Sequence, residues 1–182
     1  MVHDLAKVGP RPSPSIHASA VRVGEQAVLI RGPSGAGKSR LAFELILAGR
    51  SGQLPPTILV GDDRVHLDTR DGEVWVRPVE SLAGLIEIRG LGIRRCGFIT
   101  GARVGLVVDL MAEDAERLPS VGALRTRVNG VMIPRIPVAR DCLPFLQVVA
   151  AFITTETSCS SNLSANCVEG IGNHIDGTIA PE

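Results

Sequence analysis

Runs of apolar residues separated by polar turns divide the chain into short elements of two periodicities. "ASAVRV" (18–23) and "QAVLIR" (26–31) flank the turn pair Gly24-Glu25, which predicts two strands joined by a tight hairpin. "SRLAFELILAG" (39–49) then places apolar residues at Leu41, Ala42, Leu45 and Ile46, the spacing of a helix face, and Gly49 reads as its stop signal. After the loop "RSGQLPPT", "ILVGDD" (58–63) is a short apolar strand ending at a turn, where neighbouring side chains point to opposite faces. "VHLDTRDGEVWVRP" (65–78) alternates around Asp71-Gly72 as a second hairpin. "ESLAGLIEIRGLGIRR" (80–95) reads as a short helix running into a glycine-punctuated loop, and "VGLVVDL" (104–110) as a continuous apolar strand. "MIPRIPV" (132–138) is a weaker strand that its prolines push toward a sheet edge, and "FLQVVAAFI" (145–153) fits a strand or a final short helix.

Both ends lack this patterning. Residues 1–15, rich in Pro and Ser, read as a flexible leader, and residues 154–182, rich in Ser, Thr, Asn and Gly, as a disordered tail. That leaves one domain over 16–153, as a chain of 182 residues allows. Hydrophobic residues make up 45% and aromatics only 3%, so the core is aliphatic, as in α/β domains with buried parallel strands. Nineteen basic and nineteen acidic residues balance, so no global field draws the protein to nucleic acid or to an anionic membrane. Apolar runs stay well below the roughly 18 to 20 residues of a membrane span, and the N-terminus lacks a signal-peptide centre, which predicts a cytoplasmic protein. Cys96, Cys142, Cys159 and Cys167 form no Cys-x-x-Cys pair, so reduced thiols are expected and a zinc site is not.

The chemistry begins at "GPSGAGKS". Gly32, Pro33, Ser34, Gly35, Ala36, Gly37, Lys38 and Ser39 match G-x-x-x-x-G-K-[ST] at every fixed position, between a predicted strand and a predicted helix. Glycines let backbone amides curl around phosphate oxygens, and a helix N-terminus adds partial positive charge. In such a loop Lys38 reaches the β and γ phosphates of a bound nucleotide or polyphosphate and Ser39 ligates Mg²⁺. The plain alternative is a glycine turn that merely joins strand to helix.

Two predicted strands end in acid, "TILVGDD" and "GLVVDL", and either Asp109 or the Asp62-Asp63 pair could support the metal. Two adjacent carboxylates near a triphosphate repel unless a cation neutralises them. The pair therefore suits a site where metal ligation and proton transfer occur together. The guanine signature Asn-Lys-x-Asp is absent, and no Arg-rich lid stands out.

"GPSGAGKS", "LVGDDRV" and "LIEIRGLGI" (85–93), in this order, resemble the C-terminal catalytic domain of HPr kinase/phosphorylase. The resemblance covers roughly His17 to Val138 and points to a short form without the amino-terminal domain of longer members. It implies a P-loop α/β kinase domain, ATP-dependent phosphorylation of a serine on the phosphocarrier protein HPr, and in many members phosphorolysis of that phosphoserine. Hexameric assembly is also a family property. Residue by residue, it implies that His17 is the active-site histidine and that Asp63 is the acid/base. Asp62 becomes its neighbour near the metal, Glu87 a second Mg²⁺ ligand, and Lys38 with Arg117 the pair that stabilises the transferring phosphoryl group. Arg89 is expected to order its loop, and Arg94 and Arg95 to belong to a docking surface. The sequence departs from the family at Arg40, where longer members carry an acid, at "IPVARDC" (136–142), where Gly-Arg-Asn is not intact, and throughout the tail. A small-molecule kinase, which needs an enclosed pocket, and a nucleotide-binding sensor that transfers nothing are the competing functions.

Overall fold

The computed structural model describes residues 14–154. In chain order they form strands β1 (Ser15–His17), β2 (Ser19–Val23) and β3 (Gln26–Arg31), helix α1 (Lys38–Arg50), and strands β4 (Thr57–Gly61), β5 (Arg64–Arg70) and β6 (Glu73–Pro78). A single 3₁₀ turn, Glu80–Leu82, leads to β7 (Leu85–Ile88) and β8 (Gly92–Arg95). Strands β9 (Ala102–Leu110), β10 (Arg125–Val128) and β11 (Val131–Val138) and helix α2 (Pro144–Ile153) complete the described chain. No helix among the described residues is long and apolar enough to cross a membrane.

Nine strands make one sheet in the order β1-β5-β6-β9-β3-β2-β4, with β11 also paired to β9 and β10 to β11. Only β3, β9 and β11 run parallel, so the parallel core that the aliphatic composition predicts is confined to the middle of a mostly antiparallel sheet. On the flank of β9 opposite β3, its start pairs with β6 at Ala102 and Arg103 and its end pairs with β11 from Val107 to Leu110. Each half of β11 has one partner strand, β10 along Val131–Pro134 and β9 along Arg135–Val138, so the strand stays at the margin of the sheet as its prolines predict. Pro137 lies beside Asp109 of β9, and Pro134 beside Arg125 of β10.

Alternation explains how the strands serve two cores. Val28 and Ile30 of β3 join Leu41, Leu45 and Ile46 of α1 and Val148 of α2 on one face. Ala27 and Leu29 join Val65, Leu67, Val74 and Val76 on the other. β9 changes phase between Val104, in the second core, and Leu106, in the first, because the register with β3 steps past Gly105. A Cβ at Gly105 would sit 1.9 Å from Gln26 Oε1, so this bulge also needs the space that glycine leaves.

Three expectations change. Gly49 does not stop α1, which continues to Arg50; a Cβ there would meet Thr57 Cβ at 2.6 Å, so the glycine permits close helix–strand packing. Residues 80–95 are not a helix and loop but a 3₁₀ turn followed by the β7–β8 hairpin, which forms its own two-stranded sheet. Gly90 and Gly92, at φ 79° and 81°, make its turn possible. Ser15, assigned to the leader, opens β1 and pairs with His66. "FLQVVAAFI" resolves as helix α2, packed through Phe145, Val148, Val149 and Phe152. The rest of the predicted leader and tail lies outside the described residues, apart from Pro14 and Thr154.

Candidate active site

The glycine loop turns the chain from β3 into α1. Gly32, Gly35 and Gly37 have φ of 148°, 76° and 95°, conformations that side chains disfavour. At Gly32 the approach is also steric, since a Cβ would lie 2.9 Å from the Leu110 carbonyl oxygen. Lys38 and Ser39 begin α1, so their amides have no intrahelical acceptor, and those of Gly35 and Gly37 also find none among the described residues. Lys38 is buried, and its ammonium donates to the carbonyls of Gly32 at 3.0 Å and Pro33 at 2.9 Å. Burial pushes its pKa down, against the charges of Asp62 and Asp63.

β4 delivers the acid pair. Its register with β2 shifts between Ala20 and Val21, a bulge immediately before the strand end that carries both aspartates. The two carboxylates diverge, although both lie past the end of β4 at Gly61, so the left-handed turn at Asp63 and not strand alternation separates them. Asp62 is 3% exposed and accepts hydrogen bonds from Ser19 Oγ at 2.5 Å and from the Glu87 amide at 3.1 Å. Asp63 points outward from a left-handed backbone at φ 63°, its side chain 65% exposed, with Oδ1 3.4 Å from His17 Nε2. The Glu87 amide bond to Asp62 fastens the β7–β8 hairpin to the acid pair, while the Glu87 side chain is exposed and has no ion pair among the described residues.

Lys38, Asp62, Asp63 and His17 are thus linked by contact or by charge, with Glu87 joined through its backbone. Arg117 is not. It sits in the exposed segment 111–124, which is not helical, and makes no ion pair among the described residues. Arg89, Arg94 and Arg95 are exposed on the hairpin, likewise without ion pairs. Arg40, on the outer face of α1, pairs with Glu44 at 2.8 Å.

Asp109, the other candidate for the metal, is occupied. Arg31 grips it in a bidentate pair, Nε to Oδ1 and Nη2 to Oδ2 both at 2.7 Å, and Arg135 Nε donates to Oδ2 at 2.5 Å. Burial acts to raise its pKa, but hydrogen bonds and charge from the two arginines outweigh it and hold the carboxyl below its ordinary value. Sequence reasoning missed Ser19, Arg31 and Arg135. Ser19 and Arg31 carried a signal as polar residues at the margins of apolar strands, and Arg31 directly precedes Gly32; nothing local marked Arg135.

Among the described residues no three or more His, Cys, Asp and Glu side chains gather as a metal cage. The oxygen donors the structure ties to the loop are the Ser39 hydroxyl at the start of α1 and the Asp62 carboxylate, whose charge acts on Lys38, with the exposed Glu87 side chain on the residue whose amide bonds Asp62. Such a sparse hard-oxygen set fits Mg²⁺, which takes one or two carboxylates and completes its shell with phosphate and water.

Strand, glycine loop, helix N-terminus and adjacent acid pair define a mixed α/β domain in which the charges of Asp62 and Asp63 act on the lysine at the end of the glycine loop. The family model for the HPr Serine kinase C-terminal domain matches residues 11–140, and this chain belongs to that family. Its relatives include HPr kinase/phosphorylase of Streptococcus thermophilus (strain CNRZ 1066), 37% identical over 133 residues, covering 67% of this chain and 41% of the relative. The HPr kinase/phosphorylase of Streptococcus pneumoniae (strain JJA) is 37% identical over 134 residues, covering 67% and 40%. The chain therefore spans about two fifths of the length of these curated relatives. The structure of the Hpr(Ser) kinase/phosphatase from Coxiella burnetii superposes with a TM-score of 0.61 at 24% identity, covering 76% of this chain and 93% of that one, which establishes likeness of fold.

Proposed function

We propose that this chain is an ATP-dependent protein-serine kinase whose acceptor is an HPr-type phosphocarrier protein. The observation that carries the proposal is the convergence on one buried lysine: Lys38 lies under a loop with free amides and feels both Asp62 and Asp63, the latter exposed beside His17. The free amides of Gly35, Gly37, Lys38 and Ser39 would hold the phosphates, and Lys38 would leave its loop carbonyls for the β and γ oxygens. Ser39, Asp62 and Glu87 would hold Mg²⁺, which supplies charge neutralisation to the triphosphate.

Asp63 takes the proton from the acceptor serine hydroxyl as its oxygen bonds to the γ-phosphorus and the bond to ADP breaks. His17 borders the Asp63 carboxylate and restrains it. Lys38 and Arg117 stabilise charge on the transferring group. Exposure of Asp63 suits an acceptor that is itself a folded protein. Concavities of about 380 Å³ near Gln26, Arg103 and Met132 and of about 180 Å³ around Trp75 include no residue of the glycine loop. Pro33, Ser34 and Gly35 instead lie on an open surface, which favours the protein acceptor over an enclosed small molecule. Cytoplasmic location and homo-oligomeric assembly belong to the same proposal.

Incubation with γ-labelled ATP, Mg²⁺ and purified HPr, followed by mapping of the modified residue, tests it. Label on a single HPr serine is the expected result. Label on free small molecules only, or ATP binding without transfer, would overturn it in favour of a metabolite kinase or a nucleotide sensor.

A further inference from the structure

Segment 111–124 leaves the sheet directly beside the glycine loop, since Gly32 packs against Leu110. One side chain ties down both ends of this segment. Arg135, on β11, donates Nη1 and Nη2 to Asp114 at 2.6 and 2.9 Å, and Nη1 also to the Ala123 carbonyl at 3.2 Å. Its own amide donates to the Leu124 carbonyl at 2.8 Å. Its Nε donates to Asp109, whose carboxylate grips Arg31, the residue that precedes Gly32. The Arg135 and Asp109 side chains are 13% and 15% exposed, which shelters their bond from bulk water, whereas Asp114 is 54% exposed and its pair with Arg135 rests on the bidentate geometry.

Asp114, Arg135, Asp109 and Arg31 thus form an alternating chain of charges from the exposed segment to the glycine loop. Arg117 is three residues beyond Asp114 and has no ion pair of its own to hold it. We infer that Arg135 is a positioning residue: it latches segment 111–124 against the sheet so that Arg117 is presented in a fixed relation to the glycine loop. This rests on the kinase reading for its effect on catalysis, whereas the latch itself does not. Lysine cannot replace this arginine, because a single ammonium cannot bond Asp109 and clasp both oxygens of Asp114 together.

Two variants test the inference. Asp114→Asn alters an exposed partner and spares the sheet, and Arg135→Lys removes the fork. Amide hydrogen exchange without nucleotide should quicken about tenfold or more in both at Ala112, Ala115, Ala123 and Leu124, the amides of the segment that are hydrogen-bonded, with β3 and β9 unchanged in Asp114→Asn. In transfer assays, Arg135→Lys should lower kcat at least tenfold with KM for ATP within about twofold, and adding Arg117→Ala should cause no further loss. Unchanged exchange in both variants overturns the latch, and multiplicative losses in the double variant overturn its link to Arg117. If the unmodified protein transfers no phosphate, the kinase reading and the link to catalysis fall, and the exchange result alone decides the latch.

Discussion

Removing the buried carboxylate of Asp62 should separate the two aspartates into a structural and a chemical partner. In Asp62→Ala, the Ser19 hydroxyl, fully buried, and the Glu87 amide both lose their acceptor. A buried donor left unpaired costs about 1–3 kcal/mol, which applies in full to Ser19 and in part to the half-buried Glu87 amide, so the change should cost about 2–4 kcal/mol. Relief from burying an anion is offset at Lys38, which is only 6% exposed and loses the leading negative charge acting on it. At about 2–4 °C per kcal/mol for a chain of this size, the melting temperature should fall by about 4–16 °C. Asp62→Asn keeps one acceptor oxygen and turns a donor toward the second group, so it should lose about half as much and raise the Mg²⁺ needed for half-maximal transfer. Asp63→Asn should melt within about 2 °C of the unmodified protein, because the side chain is exposed and asparagine tolerates its left-handed backbone. Its ATP affinity should persist while serine phosphorylation falls about 10² to 10⁴-fold. Calorimetric melts and ATP titrations on the three variants check this. An Asp62→Ala protein that melts normally, or an Asp63→Asn protein that unfolds early, would refute the division of roles.

Lys38→Ala should lower transfer by about 10² to 10³-fold, the usual consequence of losing one preorganised electrostatic contact, and near-normal turnover would sink the glycine-loop assignment. Asp109→Asn should cost about 3–5 kcal/mol at neutral pH by leaving Arg31 and Arg135 without their shared anion. It should also flatten acid sensitivity: the folded carboxyl titrates below its ordinary value of 3.8, so the unfolded chain binds the proton first and stability drops as pH falls below that value. Urea melts between pH 7 and pH 2 on both proteins measure the difference, and parallel curves would contradict it. Forward transfer should exceed phosphorolysis, because Asp141, exposed and without an ion pair to Arg140, stands in the altered "IPVARDC" element and repels an incoming phosphate. Release of label from phosphoserine-HPr on adding phosphate, at a rate matching forward transfer, would contradict this.

Local pattern was enough for most elements of the fold. The β2–β3 hairpin, the helix behind the glycine loop and the Asp71-Gly72 turn were legible because apolar periodicity and turn residues act over a few positions. A strand's two-residue repeat predicted the divergence of Asp62 and Asp63, but it arises past the end of β4, where Asp63 takes a left-handed backbone. The β7–β8 hairpin was missed because glycines at 90 and 92 look like loop punctuation until they are seen to close a turn between paired strands.

What only the tertiary structure decided depends on residues far apart in the chain. Whether Asp62 or Asp109 is engaged by arginine is set by parallel pairing that brings Arg31 beside Asp109 and β11 alongside, across separations of 78 and 26 residues. The burial of Asp62 under Ser19 and Glu87 joins β2, β4 and β7 in the same way. Gly49 read as a helix stop because composition alone cannot distinguish a backbone that needs freedom from one that needs room for Thr57. Periodicity encodes which face each element buries; which side chains then meet is fixed only when strand order and register are chosen together.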